Sequence, residues 1–164
     1  MMHALSNTQS VIQALFKARF DASKIVELSK ARLTKEVFLV DWFSCIKFGV
    51  QATNIDWYFN HYGPYVEDVI LVAQDMTDYF LVEQIASTDN STWTKIKMRD
   101  DINLNDTGNK ELFDLISKMI EKTADMSYPA FLNFVYGTFP IVSSQKYSKL
   151  PLVELSERYK AERG

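Results

Sequence analysis

The stretch "IDWYFNHYGPYVEDVI", residues 55–70, holds five aromatic residues, one of the chain's two histidines and a Gly63-Pro64 step within sixteen positions. Its reading decides the fold. Residues 57–62 are aromatic-rich, which suits a strand. Strand alternation sends Phe59 towards the core and puts Tyr58, Asn60 and Tyr62 on the opposite face. Gly63 lets the chain turn where a Cβ would crowd the aromatic neighbours. Pro64 suits a first helical turn, where its missing N–H would be unpaired anyway. The pattern therefore predicts a helix from Tyr65 to about Gln74, with Val66, Val69, Ile70 and Ala73 inward.

Before this corner, "TKEVFLVDWFSCIKF" (34–48) reads as a helix, with Thr34 as N-cap and Gly49 as stop. Apolar residues cover almost its whole circumference, broken by Asp41, Ser44 and Lys47, so it belongs at the centre of a domain. After the corner, "DYFLVEQIAS" and "STWTKIKMRD" are β-rich and flank the turn residues "TDNS", a hairpin signal. Helical spacing also marks "SVIQALFKARF", "NKELFDLISKMIEKT", "YPAFLNFVYGTF" and "PLVELSERYKAE". The fold class is α+β. It is a mostly helical single domain over residues 1–164, with five or six helices around a small antiparallel sheet of about three strands. Residues 1–9 read as a flexible tail.

Composition narrows the function. At 164 residues and 47 % hydrophobic, the chain has the means to build one core. A single cysteine, Cys45, leaves no intrachain disulfide, and the first twenty residues lack a charged segment leading an unbroken apolar run. No window is a membrane span. The reading is a cytoplasmic protein without a membrane partner. From Phe48 to Thr94 there is no Lys or Arg, yet there are seven acids: Asp56, Glu67, Asp68, Asp75, Asp78, Glu83 and Asp89. Such a surface repels phosphates, so nucleic acid is an unfavourable partner and a basic protein surface a favourable one.

Chemistry finds no constellation to work with. There is no phosphate loop, no His-Glu-x-x-His and no paired cysteine, so neither a cofactor nor a metal is expected. Two Ser-x-x-Lys matches, Ser44 to Lys47 and Ser143 to Lys146, lack the partner motifs that give the pattern meaning. Cys45 reads as a small core residue. Asp41 is either a rim carboxylate satisfied locally or the polar contact that fixes the aromatic corner. His61 is either a satisfied structural histidine or a partner contact. The candidate partner-binding residues are Tyr58, His61, Tyr62, Tyr65, Glu67 and Asp68, with Asp41, Gly63 and Pro64 as the structural motif beneath them. Tyrosines suit such a face because the ring buries area while the hydroxyl bonds.

The run from Lys35 through Asp41 and Gly49 to the Tyr62-Gly63-Pro64-Tyr65 step resembles the Panacea/SocA-like antitoxin domain of bacterial and prophage toxin–antitoxin pairs. Thr138-Phe139-Pro140 ahead of a last helix is similar to a C-terminal step of that family, so the resemblance spans roughly residues 10 to 160. It implies a non-enzymatic adaptor or antitoxin that masks a protein toxin encoded nearby, or in some members delivers it to a protease. Two other readings stand beside it. The order helix, strand, helix, hairpin is that of a winged-helix DNA-binding regulator, whose recognition helix would be residues 65–74. The same domain could also serve as a phage or host interaction module.

Overall fold

The first helix, α1 (Thr8–Ser23), starts where the Asn7 side chain accepts the Ser10 N–H at 2.8 Å. It ends at Lys24, which takes a left-handed conformation with φ +62°. The computed structural model describes residues 3–163. The tail expected over residues 1–9 is thus partly helix. The segment ahead of it is tied down as well: the N–H groups of Leu5 and Ser6 donate to the carbonyls of Gln51 and Ala52 at 3.1 and 2.9 Å. Met1 and Met2, the first part of that expected tail, lie outside the described residues.

A three-residue strand, β1 (Glu27–Ser29), leads into α2 (Lys30–Phe48). This helix begins earlier than the Thr34 expected from the sequence. Ser29 is the cap, its Oγ accepting the Arg32 N–H at 3.1 Å, while Thr34 is buried within the helix. Gly49 ends the helix with φ +79°, a conformation glycine adopts without a Cβ penalty. From Leu33 to Trp42 every residue of α2 is buried. The other helices and both sheets are assembled around it.

The aromatic stretch forms β2 (Trp57–Asn60) and β3 (Gly63–Tyr65), an antiparallel hairpin that pairs Tyr58 with Tyr65 and Asn60 with Gly63. The other edge of β2 is met by β6 (Lys149–Leu150), giving a three-stranded sheet in the order β3-β2-β6. The helix predicted from Tyr65 begins later, as α3 (Asp68–Asp75). Pro64 does not open it. The residue sits in an edge strand, where a missing N–H costs no ladder bond.

After α3 come β4 (Phe80–Ala86) and β5 (Thr92–Met98), the hairpin foreseen around "TDNS". Here β1 adds to β5, so the second sheet runs β1-β5-β4. Four helices complete the chain: α4 (Lys110–Thr123), α5 (Tyr128–Tyr136), α6 (Phe139–Ser143) and α7 (Leu152–Arg163). The fold is a single-domain α+β structure. Among the described residues there are seven helices and two small antiparallel sheets, against the five or six helices and one sheet that the sequence suggests. No helix among them is long and apolar enough to cross a membrane.

One ionic cluster is sealed in the core. Arg19 on α1 and Arg32 on α2 both donate to Glu36, and Arg19 and Glu36 are buried. Arg32 also donates to the Thr123 and Met126 carbonyls, at 2.7 and 3.2 Å, and so closes the C-terminal end of α4.

Candidate functional site

The predicted site residues converge on the β2–β3 hairpin, and α2 anchors it from below. Asp41 is fully buried rather than at a rim. Its carboxylate accepts the Thr53 N–H at 2.9 Å, the Thr53 hydroxyl at 2.6 Å, the Trp57 indole N–H at 2.8 Å and the Gln51 amide at 3.2 Å. Burial pushes its pKa up to about 6, although these donors favour the ionised form. The Trp57 ring packs edge-on against Phe38 at 5.5 Å. One carboxylate thereby fixes both the 51–55 loop and the first residue of the hairpin.

Strand alternation continues from that anchor. Trp57 and Phe59 face the core, and Tyr58 faces out at 38 % exposure. His61 and Tyr62 form the hairpin turn, so the turn rather than the strand pleat projects Tyr62, which is 74 % exposed. Gly63 closes the turn with φ +104°. A Cβ there would lie 2.7 Å from Cε1 of the Tyr136 ring. That tyrosine, on α5, donates its hydroxyl to the Tyr62 carbonyl at 2.9 Å. Gly63 is therefore the place where the edge of an aromatic ring from a distant helix closes on the backbone.

The remaining residues line the rim. His61 Nδ1 lies 3.0 Å from the Tyr147 hydroxyl, and its ring meets Tyr62 edge-on at 4.6 Å. The Tyr65 hydroxyl donates to Glu67. This bond, followed by the charge of Lys30 at 3.5 Å, holds the Glu67 carboxyl below its usual range. The Lys30 ammonium also sits over the Tyr65 ring, 5.5 Å from its centroid. With its side chain so occupied, Glu67 does not cap α3. Asp68 is the first residue of α3 and exposed, outside the linked Tyr65, Glu67 and Lys30 group.

Four contributors to this surface carried no local sequence signal. Tyr136, Tyr128 and Tyr147 arrive from the C-terminal third, and Lys30 from the start of α2. Only topology brings them to the hairpin. Lysine and tyrosine are ordinary at all four positions, so periodicity could not have singled them out.

The other candidate groups are placed away from any chemistry. The Cys45 thiol is buried, and desolvation, then the charge of Asp41, pushes it up to about 12. A thiol so held is a poor nucleophile. The face of α3 that a winged helix would present carries Asp68, Leu71 and Asp75. Two of the three basic residues of the hairpin arm are engaged locally: Lys95 pairs with Glu27 at 3.4 Å, and Arg99 Nε donates to the Thr77 carbonyl at 2.7 Å.

The aromatic hairpin, its buried aspartate and the Gly-Pro edge strand lie inside a segment, residues 33–139, that matches a family model described as Antitoxin SocA-like, Panacea domain. The chain belongs to this family. The match runs from the first buried turn of α2 to the first residue of α6, leaving α1 and α7 outside it. Neither the curated proteins nor the solved structures include a significant match. Within the Panacea segment, the braced hairpin carries exposed aromatic area on a fixed backbone.

Proposed function

We propose that the protein is a cytoplasmic antitoxin that acts by binding, without chemistry of its own, and masks a protein toxin encoded next to it. Membership of the Panacea family supports the antitoxin role. The observation that carries the choice of surface is the braced hairpin. Tyr58 and Tyr62 present ring area to solvent, while Asp41 and Tyr136 hold the backbone beneath them. Interface anchors are effective when they are aromatic and pre-positioned, because less freedom is lost on binding. The acids Glu67 and Asp68 flank the tyrosines and favour a partner with a basic surface. The buried, unreactive state of Cys45 and the local engagement of His61 both support a binding role over a catalytic one.

The test is genetic and then biochemical. The adjacent reading frames are expressed alone and together with this chain. The expected result is arrested growth from one neighbour alone, rescue on co-expression and co-purification of the pair. Neighbours that are all harmless when expressed alone would refute the antitoxin reading. A duplex-binding role has no comparable support, since α3 offers acids where phosphate contacts need cations.

A further inference from the structure

Beside the hairpin, α2 and α5 enclose a cleft of about 260 Å³, lined among others by Lys30, Lys35, Tyr62, Tyr65, Tyr128 and Tyr136. Lys35 is the unusual member. The residue is only 4 % exposed and no hydrogen bond or ion pair to it is found among the described residues, yet its Nζ is not among the sealed atoms that lack a partner, so the ammonium opens to the cleft. Lysines are almost never this buried unless paired. The adjacent acid does not help, because Glu36 is taken by Arg19 and Arg32. Nor does the helix. Lys30 opens the first turn of α2, where the macrodipole is positive and disfavours cations, and Lys35 follows in the second turn, so the helix offers neither a negative end. Lys30 is relieved by Glu67 and the Tyr65 ring, and Lys35 by nothing comparable. Burial lowers its pKa, the sign of a cation lacking a counter-charge.

The hydroxyls around it are partly spent. Tyr65 donates to Glu67, and Tyr136 to the Tyr62 carbonyl. The hydroxyls of Tyr62 and Tyr128 have no such bond among the described residues, and burial keeps Tyr128 protonated as a donor. The cleft thus offers one uncompensated ammonium and neutral donors within an aromatic wall. Its volume falls below the roughly 300–1,000 Å³ of sites for drug-sized ligands and suits a single side chain. We infer that this cleft is the anchor pocket for one acidic side chain, Asp or Glu, of the bound protein partner, with Lys35 as its counter-charge. This rests on the protein-binding reading of the hairpin and names a specific contact within it.

Two arms test the inference. In the first, the lysine side-chain signals of the full chain are followed by NMR as N-acetyl-glutamate N-methylamide is added. The Lys35 signal is identified by its loss in Lys35→Met. A saturable shift with the glutamate probe and none with its glutamine counterpart is expected. A Lys35 signal that ignores glutamate, or follows glutamine equally, overturns the assignment. So does saturation by inorganic phosphate alone, which would make the cleft a free-anion site. The second arm uses the variant itself. Lys35→Met keeps the length and removes the unpaired charge, so its melting temperature is expected to rise while capture of the co-expressed toxin weakens at least about thirtyfold, the size of an interface hot spot. A fall in melting temperature would mean that Lys35 has an internal structural role, and wild-type capture by the variant would mean that the partner does not use it. Either outcome refutes the pocket while leaving the antitoxin reading intact. If no neighbour binds even the wild-type chain, that reading fails and the NMR arm alone decides the pocket.

Discussion

Gly63→Ala is expected to destabilise the fold by about 2–4 kcal/mol, through two causes that can be separated. The first is backbone strain. At φ +104° an L-residue sits in a conformation that costs on the order of 1–3 kcal/mol. The second is collision, because the new Cβ would stand 2.7 Å from Cε1 of Tyr136. Real Cβ atoms do not tolerate that distance, so the ring must retreat. Its hydroxyl is held at 2.9 Å on the Tyr62 carbonyl, and retreat breaks this bond at a net cost of about 1 kcal/mol. For a domain of this size, a loss of 2–4 kcal/mol lowers the melting temperature by roughly 5–15 °C. Urea unfolding of Gly63→Ala, Tyr136→Leu and the double variant forms the cycle. In the Tyr136→Leu background, Gly63→Ala should cost only its backbone share, about 1–3 kcal/mol. A single-variant cost below about 0.5 kcal/mol would refute both parts of the reasoning. An equal cost in both backgrounds would refute the collision alone.

Asp41 makes the stability pH-dependent in an unusual direction. Its folded pKa of about 6 lies above the ordinary 3.8, so its contribution is full below about pH 4 and is lost as pH rises through 6. The loss is on the order of 3 kcal/mol; Asp41→Asn, which exchanges no proton, should lack that slope, and identical pH profiles of the two proteins would contradict the assignment. Arg19→Met leaves Glu36 with Arg32 as its one remaining ionic partner and should cost about 3–5 kcal/mol in chemical denaturation, whereas replacing the pair together with Glu36→Leu should recover much of it. Tyr58→Ala and Tyr62→Ala should shift the unfolding free energy by less than about 1 kcal/mol, since both rings are substantially exposed, yet weaken toxin binding by about 2 kcal/mol or more. Strong destabilisation by both would place the rings in the core and sink the surface assignment.

Much of the fold was legible because its determinants are local. The alternation of Tyr58 and Phe59 assigned their faces correctly, since a strand's pleat depends only on neighbouring residues. Gly49 ended α2, and "TDNS" turned the β4–β5 hairpin, each through its own backbone preference. Ser29 and Thr34 offer the same capping chemistry five residues apart, and no local pattern chooses between them; the structure uses Ser29.

Pro64 marks the boundary between local and tertiary information. A proline fixes φ and removes a donor, and both facts suit a first helical turn as well as an edge strand. What decided for the strand is β2 alongside it, and β2 is in turn held by β6 from some ninety residues further on. The same holds for the site. By itself the sequence determined an aromatic, acid-flanked strand with a glycine at the turn that follows it. Only the tertiary structure decided that Tyr136 lies on that glycine, that Asp41 ties down Trp57 from within the core, and that Lys35 is left without a counter-charge beside them. These are contacts between segments distant in sequence. A residue's partner across such a distance is chosen by how the helices pack around α2, which no local pattern of residues encodes.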